Sequence, residues 1–387
     1  MKKLKVLIIP SWYPDKDNPV RGIFFKEQAE ALSKYADVAV LNSSPIQLNQ
    51  PLEIISKKRS SIYQENGVHT FNFNYVNWIP KIPSISPIFI KNNLINGYKH
   101  VLKKWGKPDI IHAHVTYPAG YAAMVLSEKY GIPFVVTEHA TFFDKLVSKQ
   151  SKTVHQIFSS ANYYTAVGSD LKNKIIKSGR HQCAVVPNFV NKYKYSIDNP
   201  TISDRKEFVL TNISILTEKK GIDILLHAIS NIISEYGYDN IYLKIIGGGP
   251  KLEEYKNLAK ELGLDSNCKF YGRVNDEDLV GNLKTSNALV ISSRLETFGV
   301  VGIEAMASGI PVVATKCGGP EDYVNDEVGI LVEKEDVDSL AKGIVKMIDN
   351  YESYDPLKIR EIFENNYSDT AVCEQIIDIY KQVLQEN

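Results

Sequence analysis

Short apolar runs alternate with helically spaced stretches along the whole chain. Lys5–Ile9, Asp37–Leu41, Asp109–Ala113, Pro133–Thr137, Tyr163–Val167 and Cys183–Val186 predict strands in the first half. Phe208–Ile213, Ile241–Ile246, Lys269–Tyr271, Ala288–Ile291, Pro311–Ala314 and Gly329–Val332 predict them in the second. Runs such as I-Y-L-K-I-I and A-L-V-I-S are nearly continuous in apolar character, whereas half-exposed strands alternate with polar residues. Parallel sheets buried on both faces follow, so the fold class is α/β with two doubly wound domains. The polar, Pro-containing stretch after Asn188 lacks a sustained period and reads as a linker. The predicted organisation is a first domain over 1–190, a linker over 191–207, a second domain over 208–367 and a last helix over 368–387. Ser368 is placed to cap that helix, whose stripe of Val372, Ile376, Ile379, Tyr380 and Val383 requires a surface and is expected to cross back to the first domain.

The length of 387 residues fits two to three domains, and 44% hydrophobic content supplies their cores. Lys+Arg and Asp+Glu are equal at 45 each, which removes the basic excess of a dedicated nucleic-acid binder. The balance conceals an asymmetry. Residues 1–190 carry 24 basic and 12 acidic side chains, and residues 191–387 carry 21 and 33, so the halves are net +12 and −12. Four dispersed cysteines without a C-x-x-C pair fit reduced thiols in a cytoplasmic protein rather than a disulfide or zinc framework. The opening M-K-K-L-K-V-L-I-I-P stops at Pro10 without a cleavage site and reads as a first strand. No window approaches the ~18 apolar residues of a membrane span, so membrane contact is expected to be peripheral. In sheets of this kind ligands bind beyond the carboxyl ends of the strands, which directs attention to a cleft between the two domains.

The segment Ser292–Glu321 carries the most chemistry. A buried strand runs into a loop, a short helix beginning near Gly299, and another strand, with Glu296 and Glu304 eight residues apart. Amides at Gly299, Val300 and Val301 would point out of the positive end of that helix, where a diphosphate is favoured. Glu304 would then lie about 7.5 Å along the axis, a plausible reach to a ribose, and Glu296 would face a sugar on the other side of the phosphates. An isolated pair of carboxylates at this spacing is ordinarily a pair of solvated charges. The context decides otherwise. The segment, with A-M-A-S-G-I-P-V-V-A-T and G-G-P-E, resembles the E-x7-E signature of retaining glycosyltransferases of family 4, which have the GT-B fold of two Rossmann-like domains. The resemblance implies that Glu296 contacts the donor sugar and Glu304 the nucleotide ribose.

Further stretches resemble the same family in the expected order. E-K-K-G-I-D-I-L-L-H-A-I, residues 218–229, is similar to the element whose Lys grips the diphosphate, here Lys220. I-I-G-G-G-P, residues 245–250, ends a strand in a Gly-rich turn, and P-N-F-V-N, residues 187–191, resembles the P-N-G-V-D of the domain crossing. P-S-W-Y-P, residues 10–14, followed by Gly22 at the head of a helix, looks like the first β–α loop, where a glycine lets the backbone approach the donor phosphates. K-P-D-I-I-H-A-H and T-E-H-A place His114 and His139 at strand ends. The resemblance gives His139 a donor-sugar contact at the reaction centre and leaves His114 to shape the acceptor site. The Arg that the family often carries before the diphosphate Lys is replaced by Ser214–Ile215–Leu216, so Arg294 or Arg21 would substitute. Asp15/Asp17, Asp276/Asp278 and Asp336/Asp338 read as caps and loops, and with Lys220 and a helix terminus at hand no metal is required.

What the resemblance implies is a retaining, metal-independent hexosyltransferase, without cofactor, that uses a nucleotide diphosphate sugar, UDP-sugar favoured, and a glycan or lipid-diphosphate-linked acceptor of the cell envelope. The basic residues Lys57, Lys58 and Arg59, and the aromatic and lysine-rich stretch Trp78–Lys107, would suit an anionic membrane surface on its inner face. Competing readings keep the fold and change the chemistry: a nucleotide-sugar epimerase, a sugar phosphorylase, or a noncatalytic nucleotide-sugar-binding subunit. A nicotinamide dehydrogenase lacks its complete fingerprint.

Overall fold

A computed structural model describes residues 3–15, 20–43, 45–46, 60–76, 86–197 and 207–386. The chain divides into two units, Met1–Val167 with Leu171–Val186 and Cys373–Asn387, and Gly168–Asp170 with Pro187–Val372. Lys57, Lys58 and Arg59, like Trp78 and Asp17, lie outside the described residues.

Among the described residues, the first unit is built on an eight-stranded sheet. Its strands are β1 (Lys5–Pro10), β2 (Asp37–Asn42), β4 (Ser60–Glu65), β5 (Val68–Phe73), β7 (Ile110–His114), β8 (Phe134–Glu138), β9 (Tyr163–Ala166) and β10 (Ala184–Val185), while β3 (Pro45–Ile46) pairs separately with β6 (Tyr75–Val76). The order is β10-β9-β8-β7-β1-β2-β5-β4. All pairs are parallel except β4 with β5. That antiparallel edge, β4–β5, is absent from the expectation drawn from the sequence. β4 is largely exposed and its S-S-I-Y-Q-E offers no apolar run, but Asn66 and Gly67, both at positive φ of 47° and 80°, form the tight turn that joins it to β5.

The second unit carries six parallel strands, β11 (Phe208–Ile213), β12 (Ile241–Ile246), β13 (Cys268–Gly272), β14 (Ala288–Ile291), β15 (Val312–Thr315) and β16 (Gly329–Val332), in the order β13-β12-β11-β14-β15-β16. Leu210, Leu243, Val290 and Val313 are buried beneath the helix Ile222–Tyr236, which faces them with Ile222, Leu225, Leu226, Ile229 and Ile232 at helical spacing. Burial of both faces of the sheet accounts for the continuous apolar character of its strands.

Both sheets reverse their strand order, β1 beside β7 in the first and β11 beside β14 in the second. At such points the loops after neighbouring strands diverge to opposite faces and leave a crevice at the carboxyl ends. Lys220 and Glu296 follow β11 and β14, His114 ends β7, and His139 follows β8, the neighbour of β7.

The helix Asp369–Gln385 starts in the second unit and finishes in the first. Ser368 accepts from the Ala371 amide at 3.2 Å, as its capping role requires. Val372, Cys373, Ile376, Tyr380 and Val383 are buried, with Ile379 only partly so. Within the first unit the Tyr380 hydroxyl meets His112 Nδ1 at 2.6 Å. Within the second, Val190 bridges Ser368, so the outgoing and returning segments run side by side. Arg360 ties this region together, donating to the carbonyls of Lys192 at 2.8 Å, Tyr195 at 2.9 Å and Ala307. Of the aspartates read as caps, Asp336 accepts from the Ser339 amide at 2.9 Å. Asp276 does not cap: Asn275 does, accepting from Asp278 N at 2.8 Å, and Asp276 sits in the first turn and pairs with Lys194 at 2.9 Å.

Candidate active site

In the second unit, the loops after β11 and β14 carry the sequence-predicted residues toward one another. Glu218–Lys220 forms a turn of 3-10 helix that ends at Gly221, at φ 61°. A Cβ on Gly221 would fall on the Ser292 carbonyl, so this glycine lets the two loops touch. Ser292 Oγ donates to the Lys220 carbonyl at 3.0 Å, and the Arg294 amide donates to the Lys219 carbonyl at 2.8 Å. With both backbones tied, the Lys220 ammonium forms an ion pair with Glu296 Oε1, which also accepts from Ser293 Oγ at 2.8 Å. The side chains are 18% and 9% exposed, so the pair is substantially withdrawn from water. Burial, followed by the neighbouring charge of Lys220, lowers the pKa of Lys219.

The helix Val300–Ala307 begins at Gly299, which is left-handed at φ 82°. Tyr323 fixes this terminus, its hydroxyl donating to the Gly299 carbonyl at 2.9 Å while its ring packs against Gly302. The first-turn amides of Val300 and Val301 have no carbonyl one turn earlier and carry the positive end of the helix dipole. Glu304 is half-buried one turn further along. Lys220, Glu296 and the helix terminus therefore lie together within one unit, with Glu304 on the same helix.

Arg294 departs from expectation. Instead of standing ready as a second diphosphate cation, its guanidinium is held by Asp223 through bonds of 3.0 and 2.6 Å, by the Glu218 carbonyl at 2.5 Å and by Glu335 at 3.4 Å. The hydrogen bond to Asp223 raises the Arg294 pKa, and Arg294 lowers that of Asp223 against the effect of burial. Arg294 thus braces the Lys220 loop. Ile215, in the tripeptide standing where the family often has Arg, is 64% exposed.

In the first unit, His114 ends β7 and His139 follows β8. Their rings meet, His114 Nδ1 to His139 Nε2, at 3.1 Å. His114 is wholly buried, with its ring 4.2 Å from that of His112 and 4.8 Å from that of Phe25, and its Nε2 has no hydrogen-bond partner among the described residues. Burial, then the two neighbouring histidines, hold its pKa well below the usual value. His139 is half-buried and packs against Phe24 and Phe25. Gly22 heads the helix Ile23–Leu32 at φ 72°, but the space over its α-carbon is taken: a Cβ would lie 2.7 Å from Trp12 Cδ1 and from the Trp12 carbonyl oxygen. Its glycine character therefore serves a close pass of its own chain against Trp12. Arg21 beside it is exposed.

Glu138, Thr116, Ser293, Asp223 and Tyr323 escaped the sequence reading as site residues. Glu138 lies inside the quoted T-E-H-A, and a carboxylate at the end of an otherwise apolar strand was the available signal. A cavity of about 470 Å³ in the first unit, lined by residues including Tyr163, Lys172, Arg180, Cys183 and Gln382, contains none of the predicted residues. Arg180 gives its N–H groups there to the carbonyls of Phe158, Ala161 and Gln182. Among the described residues no helix is long and apolar enough to cross a membrane.

The chain is similar to known proteins along most of its length. The family model described as Glycosyl transferases group 1 matches residues 196–366, and that described as Glycosyltransferase Family 4 matches residues 55–193. The chain is 29% identical to the uncharacterized glycosyltransferase MJ1178 of Methanocaldococcus jannaschii, over 75% of this chain and 78% of that one. It is 24% identical to the putative teichuronic acid biosynthesis glycosyltransferase TuaC of Bacillus subtilis, over 89% of each. Among solved structures, Anabaena Alr3699/HepE in complex with UDP superposes with a TM-score of 0.76 at 19% identity, covering 99% of this chain and 100% of that one. Two matched family halves and two parallel-sheet units give one conclusion: the chain belongs to the family 4-like glycosyltransferases of GT-B fold.

Proposed function

We propose that the protein transfers a hexose, with retention of anomeric configuration and without a metal, from a nucleotide diphosphate sugar to a glycan or lipid-diphosphate-linked acceptor of the cell envelope. The observation that carries this reading is the pairing of Lys220 with Glu296 at the end of the helix Val300–Ala307. A bound diphosphate would exchange its hydration for the Lys220 ammonium and the first-turn amides at Gly299, Val300 and Val301, a preorganised set of positive groups for a leaving group that gains charge. Glu304 would accept from the ribose hydroxyls. Glu296 and His139 would orient the sugar, with His114 and Arg21 toward the acceptor. In front-face transfer the bond from the anomeric carbon to the β-phosphate oxygen breaks as the acceptor oxygen bonds to that carbon, and the acceptor proton passes to the departing phosphate.

UDP, the ligand in the HepE structure, is the first nucleotide to try. The net charge of +12 on residues 1–190 supports an anionic acceptor or an anionic membrane surface. The test is a thermal-shift and donor-turnover panel of UDP-, GDP- and ADP-sugars with wild type, Lys220→Ala and Glu304→Ala. Stabilisation by one nucleotide class, lost in both variants, is expected, as is turnover that survives EDTA and an NMR product of unchanged anomeric configuration. An inverted anomer overturns retention, and stabilisation by a nicotinamide nucleotide alone overturns the reading as a whole.

A further inference from the structure

Glu138 lies outside the chemistry described so far, yet it is among the most completely enclosed charges in the first unit, with no exposed surface. Its two oxygens divide their work. Oε1 accepts from the amides of His139 at 2.8 Å and Ala140 at 2.7 Å, in the loop that leaves its own strand. Oε2 accepts from the Thr116 amide at 2.9 Å and the Thr116 hydroxyl at 2.5 Å, in the loop that leaves the neighbouring strand β7. Thr116 Oγ1 also meets the buried hydroxyl of Tyr164. One carboxylate thereby staples the loops after β7 and β8 to each other. All four donors are uncharged, and a carboxylate enclosed in this way is costly to desolvate. Burial raises its pKa and the four hydrogen bonds oppose that rise. Among the described residues of the first unit no other carboxylate is fully buried. What is particular here is that one of the stapled residues is His139, whose ring is held at its other end by His114 Nδ1.

We propose that Glu138 is a positioning residue of the transferase, a buried two-loop staple that fixes the backbone of His139 and with it the aim of the imidazole toward the reacting sugar. The inference rests on the role given to His139 above. The carboxylate acts only as an acceptor at both ends. Replacement by glutamine keeps the shape but turns one end into a donor, which must then face either the Thr116 amide or the His139 and Ala140 amides. One loop is released, and displacement of a positioned group by about 1 Å costs on the order of 100-fold in rate.

The experiment has two arms. In the first, protein labelled with ¹⁵N-histidine is examined without substrate, His139 being assigned by its disappearance in His139→Ala. The wild type is expected to show one fixed tautomer for His139 and Glu138→Gln averaged ring-nitrogen shifts; identical His139 shifts in the two proteins overturn the staple. In the second, turnover of UDP-, GDP- and ADP-glucose is compared for wild type, Glu138→Gln, His139→Ala and the double variant. Glu138→Gln is expected to lower kcat ~10- to 100-fold with KM for the donor little changed, and the double variant to be no slower than His139→Ala. Losses that multiply overturn positioning through His139. If His139→Ala keeps full kcat, the role of His139 fails, while the spectroscopic arm still decides the staple. Thr116→Val, which removes one donor only, is expected to shift both readouts in the same direction by less, and covers the case in which Glu138→Gln does not fold.

Discussion

Replacing either partner of the Lys220–Glu296 pair tests how the donor half is held before any donor arrives. Two unit charges at about 3 Å interact with roughly 5 kcal/mol at an effective dielectric of 20. Lys220 keeps 18% of its side-chain surface and Glu296 9%, so solvent screens part of this and about 2 kcal/mol of coupling is expected. Glu296→Gln retains the bond from Ser293 but leaves the largely enclosed Lys220 ammonium without a counter-charge, and Lys220→Met does the converse. Each single variant is expected to lose about 2 kcal/mol, or some 5 °C in a unit of this size. The double variant should lose well under their sum. Urea unfolding followed by circular dichroism supplies the cycle. A second consequence separates this pair from an ordinary structural one. With its carboxylate partner neutralised, Lys220 is released to a diphosphate, so calorimetry should show UDP binding Glu296→Gln about fivefold more tightly than wild type, a gain of about 1 kcal/mol. Single-variant losses that add within about 0.5 kcal/mol would refute the coupling, and weaker UDP binding by Glu296→Gln would refute the competition between carboxylate and diphosphate.

Gly302→Ala would place a methyl 2.5 Å from Cζ and Cε2 of Tyr323, forcing the ring off the helix and breaking its hydroxyl bond to the Gly299 carbonyl. A loss of about 1–3 kcal/mol is expected, with weakened nucleotide binding partly restored by a second change, Tyr323→Leu; unchanged melting would contradict the close contact. His112 gives the first unit a pH dependence. Burial pushes its pKa down to about 3 from the ordinary 6.5, with Tyr380, Thr137 and His114 around it. Protonation therefore favours the unfolded chain: stability is complete above pH 6.5 and falls as pH drops from there toward 3, by about 2 kcal/mol at pH 5. His114 adds in the same direction. Melting curves at pH 7 and pH 5 should differ by less in His112→Gln than in wild type, and an equal difference would remove His112 as the cause.

The parallel strands were legible because burial on both faces leaves a continuous apolar run, as in Ile241–Ile246 and Ala288–Ile291. The antiparallel edge was not, since β4 needs no apolar face at a sheet margin; its only mark was the Asn66–Gly67 turn. Lys220 and Glu296 could be named from their motifs, but their union could not, because it depends on β11 and β14 being neighbours across 76 positions of chain. Arg294 shows the converse. Its charge suggested a ligand, whereas Asp223 and the Glu218 carbonyl, brought up by the next helix and turn, already engage it. Glu138 was hidden for a third reason. Its meaning lies in three amides and the Thr116 hydroxyl, which only the folded loops bring to one carboxylate.

The discontinuity of the first unit also has a consequence in time. Its sheet runs out at β10, yet Cys373–Asn387, with Tyr380 against His112, is made only after the whole second unit has been synthesised. At 5–20 residues per second, the ribosome leaves roughly 10–40 s in which the first sheet stands without its last helix. Through that interval the surface awaiting Ile376, Tyr380 and Val383 faces water or a chaperone. A nascent chain arrested after residue 372 should therefore be captured by hydrophobic-segment chaperones, and release of the last fifteen residues should end that capture.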